Sequence, residues 1–190
     1  MTNKLVIAIV LSFSLLACKR EHKGLDSLVV RSSIDSIIQS NTRVLHVGKK
    51  SEIFWEDECF LSKKRKQWIY TDSIEKYCTK DDLIELYKHH DSSAIRMVAF
   101  HLLLKKYPKD AVRFAIEDID DTDSLLSGRC DEALGESASS IRVSLMMSRP
   151  GRYNISVEDS IAVDYAVRHS RNKENIWYYQ SKLSDEEDAE

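Results

Sequence analysis

The segment 94–104 constrains the fold of this chain more than any other, because it is apolar almost all the way round a helix. Only Arg96 and His101 interrupt it. A helix with apolar residues on every face has to be surrounded by other elements. The chain is also poor in turn-forming residues, with five glycines and two prolines among 190 residues. Both observations predict an array of packed helices joined by short polar turns.

Further helices are predicted on both sides of this segment, from apolar residues spaced three and four apart and from capping residues. Thr79, followed by Asp82, is an expected N-cap and capping partner. Pro108 ends the apolar helix, because proline disfavours helical geometry in the residue before it. Ser156 with Asp159 marks a later helix start. The predicted helices are 25–38, 79–89, 94–104, 110–119, 137–147, 157–169 and a short last one at 175–183.

Residues 41–77 leave two alternatives open. The runs 53–55 and 68–70 are short, aromatic and β-branched, and they flank a basic segment at 63–66. Such runs are compatible with a small β-hairpin. An irregular cap on the helical array fits them equally well. The basic segment is interpreted as a charged loop, with contact to lipid headgroups as the alternative.

The N-terminus has the pattern of an export signal. Lys4 precedes a charge-free apolar stretch at 5–17, which is shorter than the roughly 20 residues a helix needs to span a bilayer. The stretch ends in the sequence Leu-Leu-Ala-Cys at 15–18, which resembles the lipobox of bacterial lipoproteins. The resemblance implies cleavage before Cys18, a lipid on its thiol and tethering to an envelope membrane. Lys19 stands where an aspartate marks inner-membrane retention in enterobacterial lipoproteins, so it favours the outer membrane and leaves the membrane face open.

These features predict four parts of the chain. Because Lys4 is the only charged residue removed with the signal, 27 basic and 31 acidic residues remain. This balance is too even for a nucleic-acid-binding protein. The parts are a signal peptide at 1–17, a lipidated tether at 18–24, a helical domain at 25–183 and an acidic disordered tail at 184–190.

Three cysteines remain besides Cys18, namely Cys59, Cys78 and Cys130. An exported chain meets an oxidising compartment, which permits a disulfide. Cys59 and Cys78 are the better pair, since they flank a single basic and aromatic segment. The alternative is that all three are small buried apolar residues.

One stretch of the predicted array, residues 80–121, has an internal order of its own. A first helix begins with the apolar and acidic residues 82–86, and a turn follows at 91–96 with an aspartate and then an Ile-Arg pair. A second aspartate-rich turn follows at 121–124. Over these residues the order resembles the HEAT repeat, and the resemblance is thin beyond them. The chain looks like one of the small HEAT-like bacterial lipoproteins.

The resemblance implies a short α-solenoid and a role for two residues. Asp91 would cap a helix start, and Arg96 would form a salt bridge to Asp91 or to a neighbouring aspartate. Contact between Arg96 and a ligand is the other interpretation. Two departures weaken the match, because the spacing from Asp91 to Arg96 is one residue shorter than usual and leucines stand at 125–126 where an arginine is expected.

The sequence contains no GxSxG, P-loop, GxGxxG or HExxH motif. His89, His90 and His101 are the nearest to a metal-binding set, but adjacent histidines on a helix point about 100° apart, so surface or partly buried histidines are favoured. The segment 118–123 resembles a calcium loop superficially, yet it lacks the central glycine and the distal glutamate. Helix capping is the favoured interpretation of its aspartates.

The sequence therefore predicts an all-α fold, a short HEAT-like α-solenoid with an irregular N-terminal part, tethered by lipid on Cys18. The predicted function is a non-catalytic module that binds a protein or peptide, with another envelope protein as its partner and no cofactor, metal or nucleic acid. Two alternatives stay open. One is an envelope enzyme whose residues come together only in space, and the other is a neutraliser of a delivered toxin.

Overall fold

A computed structural model describes residues 24–44, 51–54, 67–129, 132–147, 150–176 and 178. Across these residues the chain is mostly helical, as predicted, with short 3₁₀ turns at Pro150–Arg152 and Lys173–Asn175. The α-helices are α1 (Leu28–Val44), α2 (Gln67–Tyr77), α3 (Lys80–His89), α4 (Ser93–Lys106), α5 (Pro108–Glu117), α6 (Ala138–Met147) and α7 (Val157–His169).

A small sheet accompanies the helices, so the all-α prediction is too narrow. Its strands are β1 (Ser51–Phe54), β2 (Ser124–Arg129) and β3 (Glu132–Ser137), in the order β1-β2-β3. β1 runs parallel to β2, and β2 and β3 form an antiparallel hairpin. The sequences of these strands lack the apolar spacing of a helix, and strand pairing satisfies their backbone N–H and C=O groups instead.

The hairpin considered for the region 41–77 is wrong. The first aromatic run, 53–55, begins in β1, but that strand pairs with β2 far along the chain. The second run, 68–70, lies in α2. Ile74, one turn further on in α2, is fully buried, so the helix has a core-facing side to pack.

Local capping explains the helix starts that the sequence predicted well. The amide of Asp82 donates to Thr79 Oγ1 at 3.2 Å, and Asp82 Oδ2 accepts from the Thr79 amide at 2.8 Å, which is a complete capping box. Ser156 Oγ accepts from the Asp159 amide at 3.0 Å at the start of α7. α5 begins at Pro108, two residues earlier than predicted, because proline is well suited to the first helical position.

Helix α4 lies at the centre of the core, as its apolar composition predicted. It packs against α1, α3, α5, α6 and the sheet. Phe100 is fully buried beside Tyr87, whose ring stacks on Phe114 with 5.3 Å between centroids. Full burial of a side chain such as Phe100 contributes about 1.5–3 kcal/mol.

Several predictions fall on residues outside this description. They concern the signal peptide at 1–17, most of the tether at 18–24, the tail at 184–190 and the greater part of the last helix at 175–183. Within the described ranges, no helix is both long and apolar enough to cross a membrane.

Candidate functional site

Arg96 lies in the first turns of α4, where its guanidinium joins two turns of the chain. Nη1 donates to the carbonyl oxygen of His90 at 3.0 Å, and Nη2 donates to Ser93 Oγ at 3.1 Å. Nη2 also forms an ion pair with Asp123. The aspartate that Arg96 contacts is thus the neighbouring one, while Asp91 is exposed. These contacts hold the start of α4 against the chain segment that follows α5.

That segment, residues 118–123, is called the aspartate segment below. Asp118 Oδ2 accepts from the Tyr87 hydroxyl at 2.5 Å and from Lys88 Nζ at 3.3 Å, both in α3. Asp120 Oδ1 accepts from Ser170 Oγ at 2.7 Å, just beyond α7. The carboxylates therefore bind donors from several helices, which is a structural use of the run that superficially resembled a calcium loop.

The aspartate segment and the side chains that donate to it form a polar network. Arg142, on α6, is its most deeply buried charge, with 3% of its side chain exposed. Nη1 and Nη2 each donate to Asp121 Oδ2 at 3.1 Å, and Nη2 donates to the carbonyl oxygen of Asp118 at 2.7 Å. The guanidinium carbon lies 5.9 Å from the Tyr87 ring centroid and 6.0 Å from that of Phe100. Its Nε is buried and has no hydrogen-bond partner among the described residues. Arg142 thus links α6 to both the aspartate segment and the aromatic core.

The electrostatics of the network follow from burial and from these hydrogen bonds. Burial, together with the hydrogen bond to Asp118, raises the pKa of Tyr87 far above its usual value, against an opposing effect of Arg142. The donors Ser170 and Arg171 lower the pKa of Asp120. Tyr87 therefore stays protonated and donating, while Asp120 stays charged and accepting.

The three histidines considered as metal ligands lie in different surroundings. His89 is exposed, with Nε2 3.9 Å from Glu85. His90 is half-buried, which lowers its pKa, and its Nδ1 accepts from the Ser92 amide at 3.0 Å. No group of three or more potential metal ligands occurs within the described part of the chain.

His101, on α4, is half-buried. Its Nε2 lies 2.9 Å from the hydroxyl of Tyr153, with the two rings edge to face. Burial lowers the pKa of His101 to about 4, and the nearby charges of Arg152 and Lys105 act in the same direction. A neutral imidazole bonded to a tyrosine ties α4 to the turn before α7.

Cys78 is half-buried between α2 and α3, and its thiol forms no disulfide with another described residue. Burial, with a smaller contribution from Asp82, raises its pKa to about 12. Such a thiol has little thiolate and is a poor nucleophile at neutral pH. Cys59 and Cys130 lie outside the described residues, as does Cys18, so the Cys59–Cys78 disulfide stays a prediction.

The surface of α7 carries an apolar row that sequence reasoning missed. Val157, Ile161 and Tyr165 are 72%, 64% and 64% exposed, and their spacing of four places them along one side of the helix. These three residues are called the α7 stripe below. On the inward side Val163 and Val167 are each 1% exposed. The segment was predicted to be helical, but with two apolar rows its periodicity could not show which row is buried.

The aspartate segment fixes the end of α7. Asp120 accepts from the Arg171 amide at 2.9 Å, and its own carbonyl oxygen accepts from Asn172 Nδ2 at 3.0 Å. The helix also packs against α5 and α6. With Ser156 capping the other end, the α7 stripe is presented by a helix held at both ends and along its inner side.

Comparison with known proteins adds no relative to this picture. No family model matches the chain, and neither a curated protein nor a solved structure does so. Two features of the chain itself therefore bear on function, the α7 stripe and the aspartate segment that fixes the end of α7.

Proposed function

We propose that this chain is a membrane-tethered lipoprotein of the bacterial cell envelope whose helical domain binds another protein without catalysing a reaction. The observation that carries the proposal is the α7 stripe. Val157, Ile161 and Tyr165 are each more than three-fifths exposed and lie in one row. Single exposed apolar residues are ordinary, whereas a contiguous apolar patch is typical of a protein-interaction surface.

The composition of the α7 stripe suits binding energetically. Burying a large apolar side chain contributes about 1.5–3 kcal/mol, and tyrosine is among the residues that most often dominate an interface. The ring of Tyr165 is already ordered, because it stacks on His169 with 4.0 Å between centroids. A row on a rigid helix loses little entropy when a partner covers it.

We also propose that the helices between α3 and α6 form a short HEAT-like solenoid. Two contacts support the idea. Arg96, at the start of α4, pairs with Asp123 in the next aspartate turn, 27 residues further along. Arg142 of α6 reaches back to the same segment through Asp121. For Arg96, a charged link to a neighbouring aspartate is the role that the resemblance implies.

The anchor proposal comes from the lipobox-like sequence that ends at Cys18. The chain enters the described domain at Gly24, whose amide donates to the carbonyl oxygen of Tyr77 at 2.8 Å. Gly24 lies six positions after Cys18, and at about 3.5 Å per residue this segment reaches roughly 20 Å. The partner is therefore expected close to the surface of the membrane that holds the anchor. Lys19 favours the outer membrane for that anchor.

Site-specific photo-crosslinking in the native envelope tests the binding proposal. A crosslinking residue at Ile161 is expected to capture a protein, whereas one at Leu28, an exposed apolar residue of α1 at 82% exposure, is the matched control. Ile161→Asp introduced with a crosslinker at Tyr165 should abolish the product. If positions 161 and 165 give no protein product above the control at 28, the binding function is overturned.

A further inference from the structure

We infer that the α7 stripe binds the α7 stripe of a second copy of this chain, with the two helices antiparallel. The inference rests on the proposed function, because it names the occupant of the same surface. A two-fold pair requires a surface that is complementary to itself. The arrangement of both the apolar and the charged residues of α7 meets that requirement.

The apolar residues match when the two-fold axis lies level with Val163. At 1.5 Å per residue, Ile161 of one helix is then level with Tyr165 of the other, and this occurs twice. Two isoleucines and two tyrosines form the centre of the contact, and Val157 lies at each end. The inward side, with Val163 and Val167, remains packed on the domain.

The charged residues of α7 are distributed so that antiparallel packing is favoured. Glu158 and Asp159 lie in the first turn, and Arg168 and His169 in the last. Antiparallel packing brings the acidic end of each helix beside the basic end of the other, and it also opposes the two helix dipoles. Parallel packing would place like charges together.

The spacing of Glu158 and His169 along α7 predicts one specific ion pair between the two copies. Glu158 and His169 are 11 residues apart, so they differ by only about 20° around the helix and share one edge of the exposed side. Across an antiparallel two-fold pair, each edge faces the same edge of the other helix. Glu158 of one copy therefore meets His169 of the second. Arg168 is held towards the other edge by its ion pair with Asp164 at 2.9 Å.

The size of the surface defines how strong this association can be. Stable interfaces bury about 1,200–2,000 Å² in total, and three side chains from each copy contribute less than that. The pair is accordingly weak for a freely diffusing protein. Tethering both copies to one membrane raises their effective concentration, which favours association without any new contact.

Disulfide trapping in native envelopes tests the geometry with the full chain. Copies carrying Ile161→Cys and copies carrying Tyr165→Cys, with different tags, are produced together and mildly oxidised, and the parent chain shows the background from its own cysteines. A mixed dimer between positions 161 and 165 is expected. Val157→Cys alone should give no dimer above background, because two copies of that residue would lie about 18 Å apart along the pair. Dimerisation of Val157→Cys in the absence of the mixed product would overturn the antiparallel arrangement.

Charge reversal gives a second, independent readout. Glu158→Lys should reduce the mixed product several-fold, and adding His169→Glu to it should restore most of the yield. Leu28→Asp is the matched control and should leave the yield unchanged. No effect of Glu158→Lys, or no rescue by the second change, would contradict the proposed pairing of the edges.

The outcomes separate this inference from the function on which it rests. Capture of the same chain by a crosslinker at Ile161 supports both. Capture of a protein of different mass there, with no disulfide dimer, overturns the second copy as occupant and leaves the binding function standing. No protein product by either method overturns both.

Discussion

Replacing Arg142 with alanine would remove the side chain that links α6 to the aspartate segment. The guanidinium makes two hydrogen bonds of 3.1 Å to Asp121 and one of 2.7 Å to the carbonyl oxygen of Asp118. It also lies beside two aromatic rings of the core, those of Tyr87 and Phe100. Alanine would remove these three hydrogen bonds and leave a space beside the rings. The Asp118 carbonyl would keep the Asp121 amide as a donor, and the Asp121 carboxylate would keep the Asp123 amide, but the charge of Asp121 would lose its buried cation.

The expected cost follows from the burial of the two partners. Removing one member of a buried ion pair lowers the free energy of unfolding by about 3–5 kcal/mol, because the other charge is left without compensation. The Arg142 side chain is 3% exposed but that of Asp121 is 25% exposed, so water can replace part of what Asp121 loses. We therefore expect the lower end, a loss of about 3 kcal/mol.

Urea unfolding followed by circular dichroism measures this loss. At a slope of about 2 kcal/mol per molar urea, the midpoint should fall by about 1.5 M. The matched control is Arg113→Ala, since Arg113 is 59% exposed and pairs with Asp110 and Glu117 at 3.6 and 3.7 Å. That change should cost less than about 1 kcal/mol. If Arg142→Ala costs no more than Arg113→Ala, the structural role assigned to the network is refuted.

Three further predictions concern stability and processing. Tyr87→Phe removes the hydroxyl that donates to Asp118 and should lower the free energy of unfolding by about 1.5 kcal/mol. The same urea assay measures this loss, and an unchanged free energy of unfolding would contradict the role of that hydrogen bond. Between pH 6.5 and about 4 the unfolded chain binds a proton at His101 that the folded chain does not. The free energy of unfolding should therefore decrease by up to about 3 kcal/mol as the pH is lowered from 6.5 to about 4. His101→Gln should flatten that dependence, and an unaltered pH profile would refute the assignment. Cys18→Ala should give an unprocessed precursor without lipid, detected by its mass and by failure to incorporate labelled palmitate, and normal maturation would refute lipidation.

The features predicted well from the sequence are those decided by neighbouring residues. The capping box of Thr79 and Asp82 involves residues three apart, so its pattern is visible in the sequence. The apolar segment 94–104 likewise determines its own burial, because no face of it can be left in water. Both became parts of α3 and α4 at close to the predicted positions.

The features that were missed depend on residues far apart in the chain. β1 pairs with β2 across more than 70 residues, and neither strand has alternation strong enough to indicate it alone. The aspartate segment was interpreted as a capping element, but its most buried partner, Arg142, lies on a helix that follows a hairpin. Nothing local to 118–123 indicates that an arginine from α6 will be buried against it.

The α7 stripe shows the same limit on a single helix. Val163 and Val167 form one apolar row, and Val157, Ile161 and Tyr165 form another. Periodicity treats the two rows alike, so the choice between them depends on how α7 packs on α5 and α6. The row left outside became the candidate site because tertiary packing chose the other one.

The most direct test of the proposed binding function is the identity of what a photo-crosslinker at Ile161 captures in the native envelope. We expect a protein product that is absent with the crosslinker at Leu28, and antiparallel pairing of two α7 stripes predicts that the product contains two copies of this chain. A stripe that captures no protein, in envelopes where the protein is intact and membrane-bound, would contradict the claim that α7 is an interaction surface.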